Sequence, residues 1–404
     1  MFKRGLFSSL ASLFLRTVTA VALPATDSGT FQVLQQPNLN FTKNAAAIHF
    51  SDLAKYNVTL NSTYAVTAIT AAKQSGGTPA IPLIWESEYV CPVVIGGQTV
   101  YLDFDTGSSD LWVLSTLTNV EGIGHKIYDP KFSPSSKLLP GATWDITYAD
   151  GSGSGGIVFE DHVVIGSSVA IDQAVEVALF VSPQFAINPF NSGLLGLAFS
   201  TINTVSPVHQ LTYFENILPT LKEPLFTADL QHGRPGTYNF GFIDPAAFKG
   251  PIAWTPVTKP QGYYAYWQLD VTGFQVGPEP YHEHIISGIA GKSRYTGTSL
   301  LYLPPLVVLE YYSKVAGAFF DSSNAAWVFP CTSPLPDFTF GVGAYRGVVP
   351  GSYILFQPLG DDLCYGGIQV NTGLPFSIFG DILLKAQFVV FDHAGPRLGF
   401  ANKL

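Results

Sequence analysis

The chain has 404 residues, of which 47% are hydrophobic and only 12% charged, with 39 glycines and 29 prolines. This composition argues against disorder and against long surface helices, and it predicts a mostly β protein of two or three domains. Residues 1–77 hold six Lys or Arg and two Asp (+4), which leaves 14 basic and 27 acidic residues (−13) for the rest. An acidic body of this kind argues against nucleic acid as a partner.

The N-terminus has the features of a secretory signal peptide. Lys3 and Arg4 precede an apolar stretch over residues 5–15, and Ala20-Val21-Ala22 provides a small-residue cleavage site. The apolar stretch falls below the roughly 18 residues that a membrane-spanning helix needs, and no later stretch reaches that length. We therefore expect residues 1–22 to be removed and the mature protein to be soluble, in the secretory pathway, the vacuole or the medium.

Residues 23–77 are interpreted as a pro-segment. They contain three N-glycosylation sequons, at Asn40, Asn57 and Asn61, which would lie at the surface if they are used. The stretch leads into a flexible linker at residues 73–78, a type of segment that proteases cleave readily. Its positive charge complements the acidic remainder of the chain. A permanent N-terminal extension is the alternative interpretation.

From Tyr89 onward the sequence predicts short strands and tight turns. Residues 93–101 indicate two strands around a turn at Gly96-Gly97. Residues 144–158 indicate a hairpin with Asp150-Gly151 at its tip. Longer helical patterns are few, and the clearest covers residues 305–319, where apolar side chains recur at helical spacing: Leu306, Leu309, Tyr312 and Val315.

The three cysteines fall into two groups. Cys331 and Cys364 lie in the same C-terminal region and could form a disulfide in an oxidising compartment. Cys91 lies in an apolar run typical of a strand, so we expect a buried and inert thiol.

Two halves of the chain repeat the same order of short motifs. The first half runs through Asp105-Thr106-Gly107, Leu111-Trp112-Val113 and Leu194-Leu195-Gly196. The second half runs through Tyr295-Thr296-Gly297, Leu300-Leu301-Tyr302 and Ile378-Phe379-Gly380. This repeat predicts two homologous β lobes that face each other, and the first loop carries a carboxylate where the second carries a phenol.

An ordered set of motifs resembles the pepsin-like aspartic peptidases, specifically their secreted fungal branch: the run from Asp105 to Trp112, Tyr148-Ala149-Asp150-Gly151-Ser152, Gly193-Leu194-Leu195-Gly196-Leu197, Leu225-Phe226-Thr227-Ala228-Asp229-Leu230, Phe329-Pro330-Cys331 and Ile378-Phe379-Gly380-Asp381. The resemblance covers residues 89–401 and implies an all-β, bilobal fold with a deep cleft. We expect an N-terminal lobe at 78–260 and a C-terminal lobe at 261–404. It further implies a monomer that takes a protein or peptide in the cleft, with no metal or cofactor.

The resemblance also assigns roles to individual residues. Asp105 matches the first catalytic aspartate, and Ser108 matches the hydroxyl beside it. Tyr148 matches the tyrosine of the flap, the hairpin that closes over substrate, and Trp112 matches the tryptophan that bonds this tyrosine. The other residues expected at the substrate are Asp150, Gly151, Gly297 and Thr298, and Cys331 with Cys364 matches a disulfide of the family.

The second active-site motif departs from the family pattern. Most members carry Asp-Thr-Gly there after an Ile-Ala pair, whereas this chain has Ile289-Ala290, four additional residues at 291–294, and then Tyr295. No Asp or Glu lies between Glu283 and Glu310. The chemistry of the family needs two adjacent carboxylates that share one proton, a base for water and an acid for the scissile carbonyl. Ordinary peptidase activity is therefore predicted to be absent or very low.

Three functions stay open at this point. The chain is an acid endopeptidase if residues 291–295 reflect an error in the gene model or if Tyr295 is tolerated. It is a non-catalytic pseudopeptidase if the cleft binds peptides without cutting them. It is a scaffold for small-molecule chemistry, such as fungal secondary-metabolite biosynthesis, if the altered site has been recruited to a new reaction.

Two further patterns are discounted. His282-Glu283-His284 lacks the spacing of a helical metal motif, and a solvated loop is the better interpretation. The glycine pattern at residues 151–156 matches a dinucleotide fingerprint by spacing but lies in a predicted hairpin with no helix after it.

Asp150, near the flap tyrosine Tyr148, has two interpretations. It either favours a basic substrate residue or simply forms the turn.

Overall fold

The computed structural model describes residues 29–37, 45, 49, 89–119, 126–147, 153–182, 191–290 and 299–404. Within these ranges the chain consists mainly of β-strands in four sheets, with a few short helices. No helix in the described ranges is long and apolar enough to cross a membrane. The predicted all-β class is confirmed.

The strands in chain order are β1 (Phe31–Leu34), β2 (Gln36–Pro37), β3 (Tyr89–Ile95), β4 (Gln98–Asp105), β5 (Leu111–Val113), β6 (Lys137–Thr147), β7 (Gly153–Ile165), β8 (Ser168–Val181), β9 (Gly193–Gly196), β10 (Leu225–Gln231), β11 (Arg234–Phe240), β12 (Phe248–Pro256), β13 (Gln268–Val276), β14 (His282–Ala290), β15 (Leu301–Leu303), β16 (Phe319–Asp321), β17 (Ala326–Pro330), β18 (Phe338–Val342), β19 (Tyr345–Val349), β20 (Leu355–Gly360), β21 (Leu363–Gly366), β22 (Ile368–Val370), β23 (Ser377–Phe379), β24 (Gln387–Asp392) and β25 (Arg397–Lys403). The helices are α1 (Tyr213–Ile217), α2 (Pro305–Ser313), α3 (Gly351–Ile354) and α4 (Asp381–Ala386), with single 3-10 turns at Pro130–Phe132, Ser200–Ile202 and Leu218–Thr220.

Each lobe has its own large sheet. The N-terminal lobe contains eight strands in the order β2-β3-β4-β9-β5-β8-β7-β6. The C-terminal lobe contains seven in the order β19-β18-β13-β14-β23-β15-β22, beside a four-stranded sheet in the order β16-β17-β21-β20. The predicted turn between β3 and β4 is confirmed, since Gly96 and Gly97 have φ of 54° and 82° in the left-handed region that glycine tolerates.

The two lobe sheets repeat one arrangement of strands. In the first lobe β9 pairs parallel with β4 and antiparallel with β5. In the second lobe β23 pairs parallel with β14 and antiparallel with β15. The structure therefore confirms the internal repeat, with β4 and β14 leading into the two active-site loops.

A third sheet joins the lobes, in the order β1-β11-β10-β24-β25-β12. The last two strands of the chain return to its centre, so Phe226 of β10 stacks on Phe391 of β24 with ring centroids 4.5 Å apart. Trp267 donates its indole N–H to the carbonyl of Leu197 at 2.8 Å, and this bond ties the N-terminal strands to the start of the C-terminal lobe. The proposed lobe boundary at 260/261 stays a prediction.

The long predicted helix is shorter than the pattern suggested. Helix α2 ends at Ser313, Gly317 turns the chain with φ of 72°, and Phe319 already begins β16. The side chains of Leu306 and Leu309 are exposed, and the buried face is formed by Val307, Val308, Tyr311 and Tyr312. Contact with the sheet of the C-terminal lobe selects this face, because the Tyr312 hydroxyl donates to the main-chain carbonyl of Ile368 in β22 at 2.7 Å.

The interpretation of His282-Glu283-His284 as a loop is wrong. These residues form the start of strand β14, and their side chains are exposed. His282 forms an ion pair with Glu310 of α2, with Nε2 3.0 Å from Oε1. In the ranges that the structure describes, no cluster of three or more His, Cys, Asp or Glu side chains is arranged to hold a metal ion.

Candidate active site

Asp105 is the last residue of β4 and is fully buried. The Gly107 N–H donates to its Oδ1 at 2.8 Å, and the Ser108 hydroxyl donates to its Oδ2. Donors of this kind hold the carboxylate in one orientation. The structure therefore places the predicted Ser108 hydroxyl beside the predicted aspartate.

The loop after Asp105 is held by the β9 motif of the first lobe. The Leu197 N–H donates to the Asp105 carbonyl at 2.7 Å, and the Ala198 N–H donates to the Ser108 carbonyl at 2.9 Å. A Cβ atom on Gly196 would lie 2.6 Å from both the Ser108 oxygen and the Asp110 nitrogen. Only glycine allows the strand and the loop to approach this closely.

Behind the loop lies a buried polar cluster that no sequence motif indicated. Asp110 accepts hydrogen bonds from the Thr204 N–H at 2.8 Å and from the side-chain amide of Asn203 at 3.0 Å. The same amide donates to Glu176 at 2.9 Å. Burial raises the pKa of Asp110 to about 6, against the hydrogen bonds from Thr204. Burial, followed by the charge of Asp110, raises the pKa of Glu176 well above its usual range.

The first loop also touches the second lobe. The Thr106 hydroxyl donates to the carbonyl of Ala290 at 3.5 Å, at the end of β14. Ala290 pairs with Phe379 in the parallel register of β14 and β23. The chain beyond Ala290 lies outside the described residues as far as 298, and this stretch includes Tyr295, Gly297 and Thr298.

The predicted flap hairpin is formed by β6 and β7, which pair antiparallel from Lys137 to Thr147. Its two strands together span residues 137–165, whereas the sequence predicted a hairpin over residues 144–158. Its tip, with Tyr148, Asp150 and Gly151, lies outside the described residues. In the half of the hairpin that approaches the tip, Trp144 stacks on Trp112 with ring centroids 6.0 Å apart. Trp112 is thus placed under the hairpin, while its predicted bond to Tyr148 stays a prediction.

The expected disulfide and the expected burial of Cys91 are confirmed, while the inertness of the Cys91 thiol stays a prediction. Cys331 and Cys364 form a disulfide in the C-terminal lobe, and Cys91 is buried in β3 and takes no part in a disulfide. The sequons at Asn40, Asn57 and Asn61 lie outside the described residues.

Part of the expected pro-segment packs against the body of the protein. Strand β1 pairs antiparallel with β11, with Phe31 opposite Phe240. Further along, His49 is buried against Tyr302 and Tyr365 of the C-terminal lobe. Sequence reasoning missed this contact, because no local signal distinguishes a histidine that will be buried by residues more than 250 positions away.

Fold, internal repeat and aspartate loop together define a bilobal aspartic-peptidase scaffold. A family model described as eukaryotic aspartyl protease matches residues 88–403. The chain belongs to this family.

Several fungal members are similar to it along most of their length. Aspergillopepsin-1 of Aspergillus fumigatus is 45% identical over 388 residues, which cover 95% of this chain and 92% of that protein. Penicillopepsin-1 of Penicillium rubens is 45% identical over 395 residues, or 96% of each chain. Endothiapepsin of Cryphonectria parasitica is 45% identical over 394 residues, which cover 95% of this chain and 92% of that protein.

Proposed function

We propose that this chain is an aspartic-peptidase homologue that keeps the first catalytic aspartate and a peptide-binding cleft but has little or no power to hydrolyse peptide bonds. The observation that carries the proposal is Tyr295 at the position of the second aspartate, in a stretch with no Asp or Glu between Glu283 and Glu310. Asp105 alone cannot be both base and acid in one step, and losing one member of such a unit costs several powers of ten in rate.

Strand register supports the same conclusion from the other side of the loop. In the first lobe Asp105 pairs with Gly196 of its apolar-apolar-Gly motif. In the second lobe the observed register ends with Ala290 opposite Phe379, and the next residues of the two segments are Gly291 and Gly380. If the position of the second aspartate is counted forward from Ala290 of β14, it falls on Gly291. If it is counted back from Thr296-Gly297, it falls on Tyr295. Neither alignment supplies a carboxylate.

The scaffold around the altered loop is intact, which favours a binding function over decay. The Gly380 N–H donates to the Leu300 carbonyl at 3.2 Å, and the Ile382 N–H donates to the Ser299 carbonyl at 3.1 Å. These bonds repeat those that the Gly196 and Ala198 N–H groups donate to the carbonyls of Asp110 and Ser108 in the first lobe. We therefore favour a monomeric peptide-binding pseudopeptidase, without metal or cofactor, over the recruited scaffold for secondary-metabolite chemistry.

We further propose that residues 1–22 direct secretion and that residues 23–77 form a pro-segment with exposed sequons. The apolar N-terminal stretch, the cleavable linker and the opposite net charges of segment and body support this. In the two lobes, the remaining roles at the cleft would belong to Tyr148, Asp150, Gly151, Gly297 and Thr298.

The test of the proposed function is digestion of casein or haemoglobin at about pH 3–5 by purified protein, with pepstatin as inhibitor. The coding sequence across codons 289–297 is first verified on the transcript. We expect no pepstatin-sensitive cleavage above the level of an Asp105→Asn control. Cleavage that pepstatin blocks and Asp105→Asn removes would overturn the inactive assignment and leave an ordinary acid endopeptidase.

A matched restoration locates the defect. Tyr295→Asp combined with deletion of residues 291–294 recreates Ile-Ala-Asp-Thr-Gly and should raise cleavage by several powers of ten. Adding Asp105→Asn to this variant should abolish the gain. A folded variant that stays inactive would contradict the assignment of the defect to this loop.

A further inference from the structure

We propose that Tyr302 and Tyr365 form a pocket for the neutral imidazole of His49, and that this contact is an acid-labile anchor of the N-terminal segment on the C-terminal lobe. The inference rests on the proposed pro-segment but not on the presence or absence of proteolysis. Three residues from distant parts of the sequence carry it, and all three are buried.

Two hydrogen bonds define the anchor. The Nδ1 atom of His49 lies 2.5 Å from the Tyr365 hydroxyl. The Tyr302 hydroxyl donates to the main-chain carbonyl of His49 at 3.3 Å. The imidazole also packs on both rings, with centroids 5.3 Å from Tyr302 and 6.1 Å from Tyr365. One bond thus depends on the protonation of the imidazole and the other does not.

The pocket walls are rigid parts of the C-terminal lobe. Tyr302 lies in β15, which is hydrogen-bonded on both sides by β22 and β23. Tyr365 lies in β21 directly after Cys364, whose disulfide to Cys331 ties this strand down. A pocket built from such elements exists independently of the segment that fills it, as a docking site requires.

Among the described residues of the segment, His49 is the only ionisable one. The other attachment is strand β1, whose Phe31 stacks on Phe240 at 4.7 Å and whose Gln32 amide donates to Asn239 at 2.7 Å. These contacts carry no group that titrates in acid. Among the residues that the structure describes, the titratable groups in contact with the imidazole are the phenols of Tyr302 and Tyr365, which are neutral throughout the acid range.

The sign of the pH effect follows from burial. Removal of the imidazole from water lowers the pKa of His49 from 6.5 to about 4. The undocked segment therefore takes up a proton more readily than the docked one, and docking is strongest above pH 6.5. As the pH falls from 6.5 towards 4, docking should weaken by about a hundredfold, because each pKa unit corresponds to a factor of ten.

The test measures docking by hydrogen–deuterium exchange of the β1 amides in the full-length chain. All proteins carry Asp105→Asn, so that no self-cleavage intervenes, and His49→Gln is compared with the parent at each pH so that the intrinsic exchange chemistry cancels. We expect protection of β1 in the parent to fall between pH 6.5 and 4. Protection in His49→Gln should change far less over this range, since Gln does not titrate.

Tyr302→Phe provides the matched control, because its lost bond is to a main-chain carbonyl. It should weaken docking by a similar factor at every pH and keep the pH dependence of the parent. A pH dependence that is identical in the parent and in His49→Gln would overturn the proposal. So would a β1 strand that stays fully protected in the parent at pH 3.5, which lies below the docked pKa of about 4.

Discussion

Asp110 and Glu176 form a buried carboxyl pair behind the loop of Asp105. Both side chains are almost completely inaccessible to water, and the amide of Asn203 bridges them. Ionising both carboxyl groups in a buried site costs free energy, because the two negative charges repel each other and lack water. The pair therefore keeps a proton at pH values where exposed carboxyl groups have lost theirs. The N-terminal lobe therefore carries an acid-adapted element that is separate from the catalytic position.

This pair makes a contribution to the free energy of unfolding that is lost as the pH rises. A carboxyl whose pKa is raised by folding stabilises the folded state at low pH, and this contribution disappears as the pH passes the folded value. For Asp110 the window runs from 3.8 to about 6, and Glu176 extends it upward. We expect the contribution of this pair to fall by about 3 kcal/mol across the window, while that of His49 rises, so the pair is measured by urea unfolding as the difference between the wild type and a variant of the pair at each pH.

Glu176→Gln tests the cause of that loss. Glutamine keeps an amide that can bond to Asp110 and an oxygen that can accept from Asn203, but it does not titrate. Its stability should decline less between pH 4 and 7 than that of the wild type. The exposed Glu223→Gln serves as control and should follow the wild-type curve. Parallel curves for Glu176→Gln and the wild type would contradict the assignment.

At the scale of elements, the short strand β21 is held by a disulfide in addition to its strand pairing. Strand β21 has four residues and pairs with β17 and β20, and Cys364 within it is bonded to Cys331. The bond closes a loop with a sequence separation of 33. Such a loop restricts the unfolded chain, and on the chain-entropy account it contributes about 3–4 kcal/mol.

Replacement of both cysteines by alanine should lower the free energy of unfolding of the C-terminal lobe by about 3 kcal/mol. Urea unfolding monitored by tryptophan fluorescence measures the change. Reducing agent should bring the wild type to the stability of the double variant and leave the double variant itself unchanged. Equal stability of oxidised wild type and double variant would show that the cross-link adds nothing.

Helix α2 shows why element boundaries and faces are harder to predict than element types. Its spacing correctly indicated a helix that begins at Pro305, where proline suits the first turn. The end at Ser313 and the burial of Val307 and Val308 instead of Leu306 and Leu309 follow from contact with the sheet. Leucine and valine are equally apolar, so composition alone does not select between the two faces.

At the scale of the whole molecule, the lobes are interdependent. The six-stranded sheet places β24 and β25, from the end of the chain, between β10 and β12 of the first half. Phe226 packs against Phe391 across this boundary, and Trp267 bonds to the Leu197 carbonyl. A cut between the lobes therefore exposes a sheet edge and large aromatic side chains.

We predict that residues 78–260 expressed alone do not form a stable native lobe. The fragment lacks β24, so β10 loses one of its two hydrogen-bonded neighbours and Phe226 loses its stacking contact with Phe391. Far-UV circular dichroism and proton NMR should show a poorly ordered or aggregating species, with the full chain as control. A well-dispersed spectrum with cooperative unfolding would contradict this expectation.

The sequence by itself determined the family, the all-β class, the internal repeat, the position of Asp105 and the tyrosine at the head of the second Thr-Gly motif. These features depend on short contiguous motifs, in which glycine and aspartate are needed locally for tight turns and for the close approach of one backbone segment to another. Only the tertiary structure decided that Asp110 meets Glu176, that His49 is buried between Tyr302 and Tyr365, and which face of α2 is covered. Each of these depends on burial by residues that are distant in the sequence, and burial is what changes the chemistry of a titratable group.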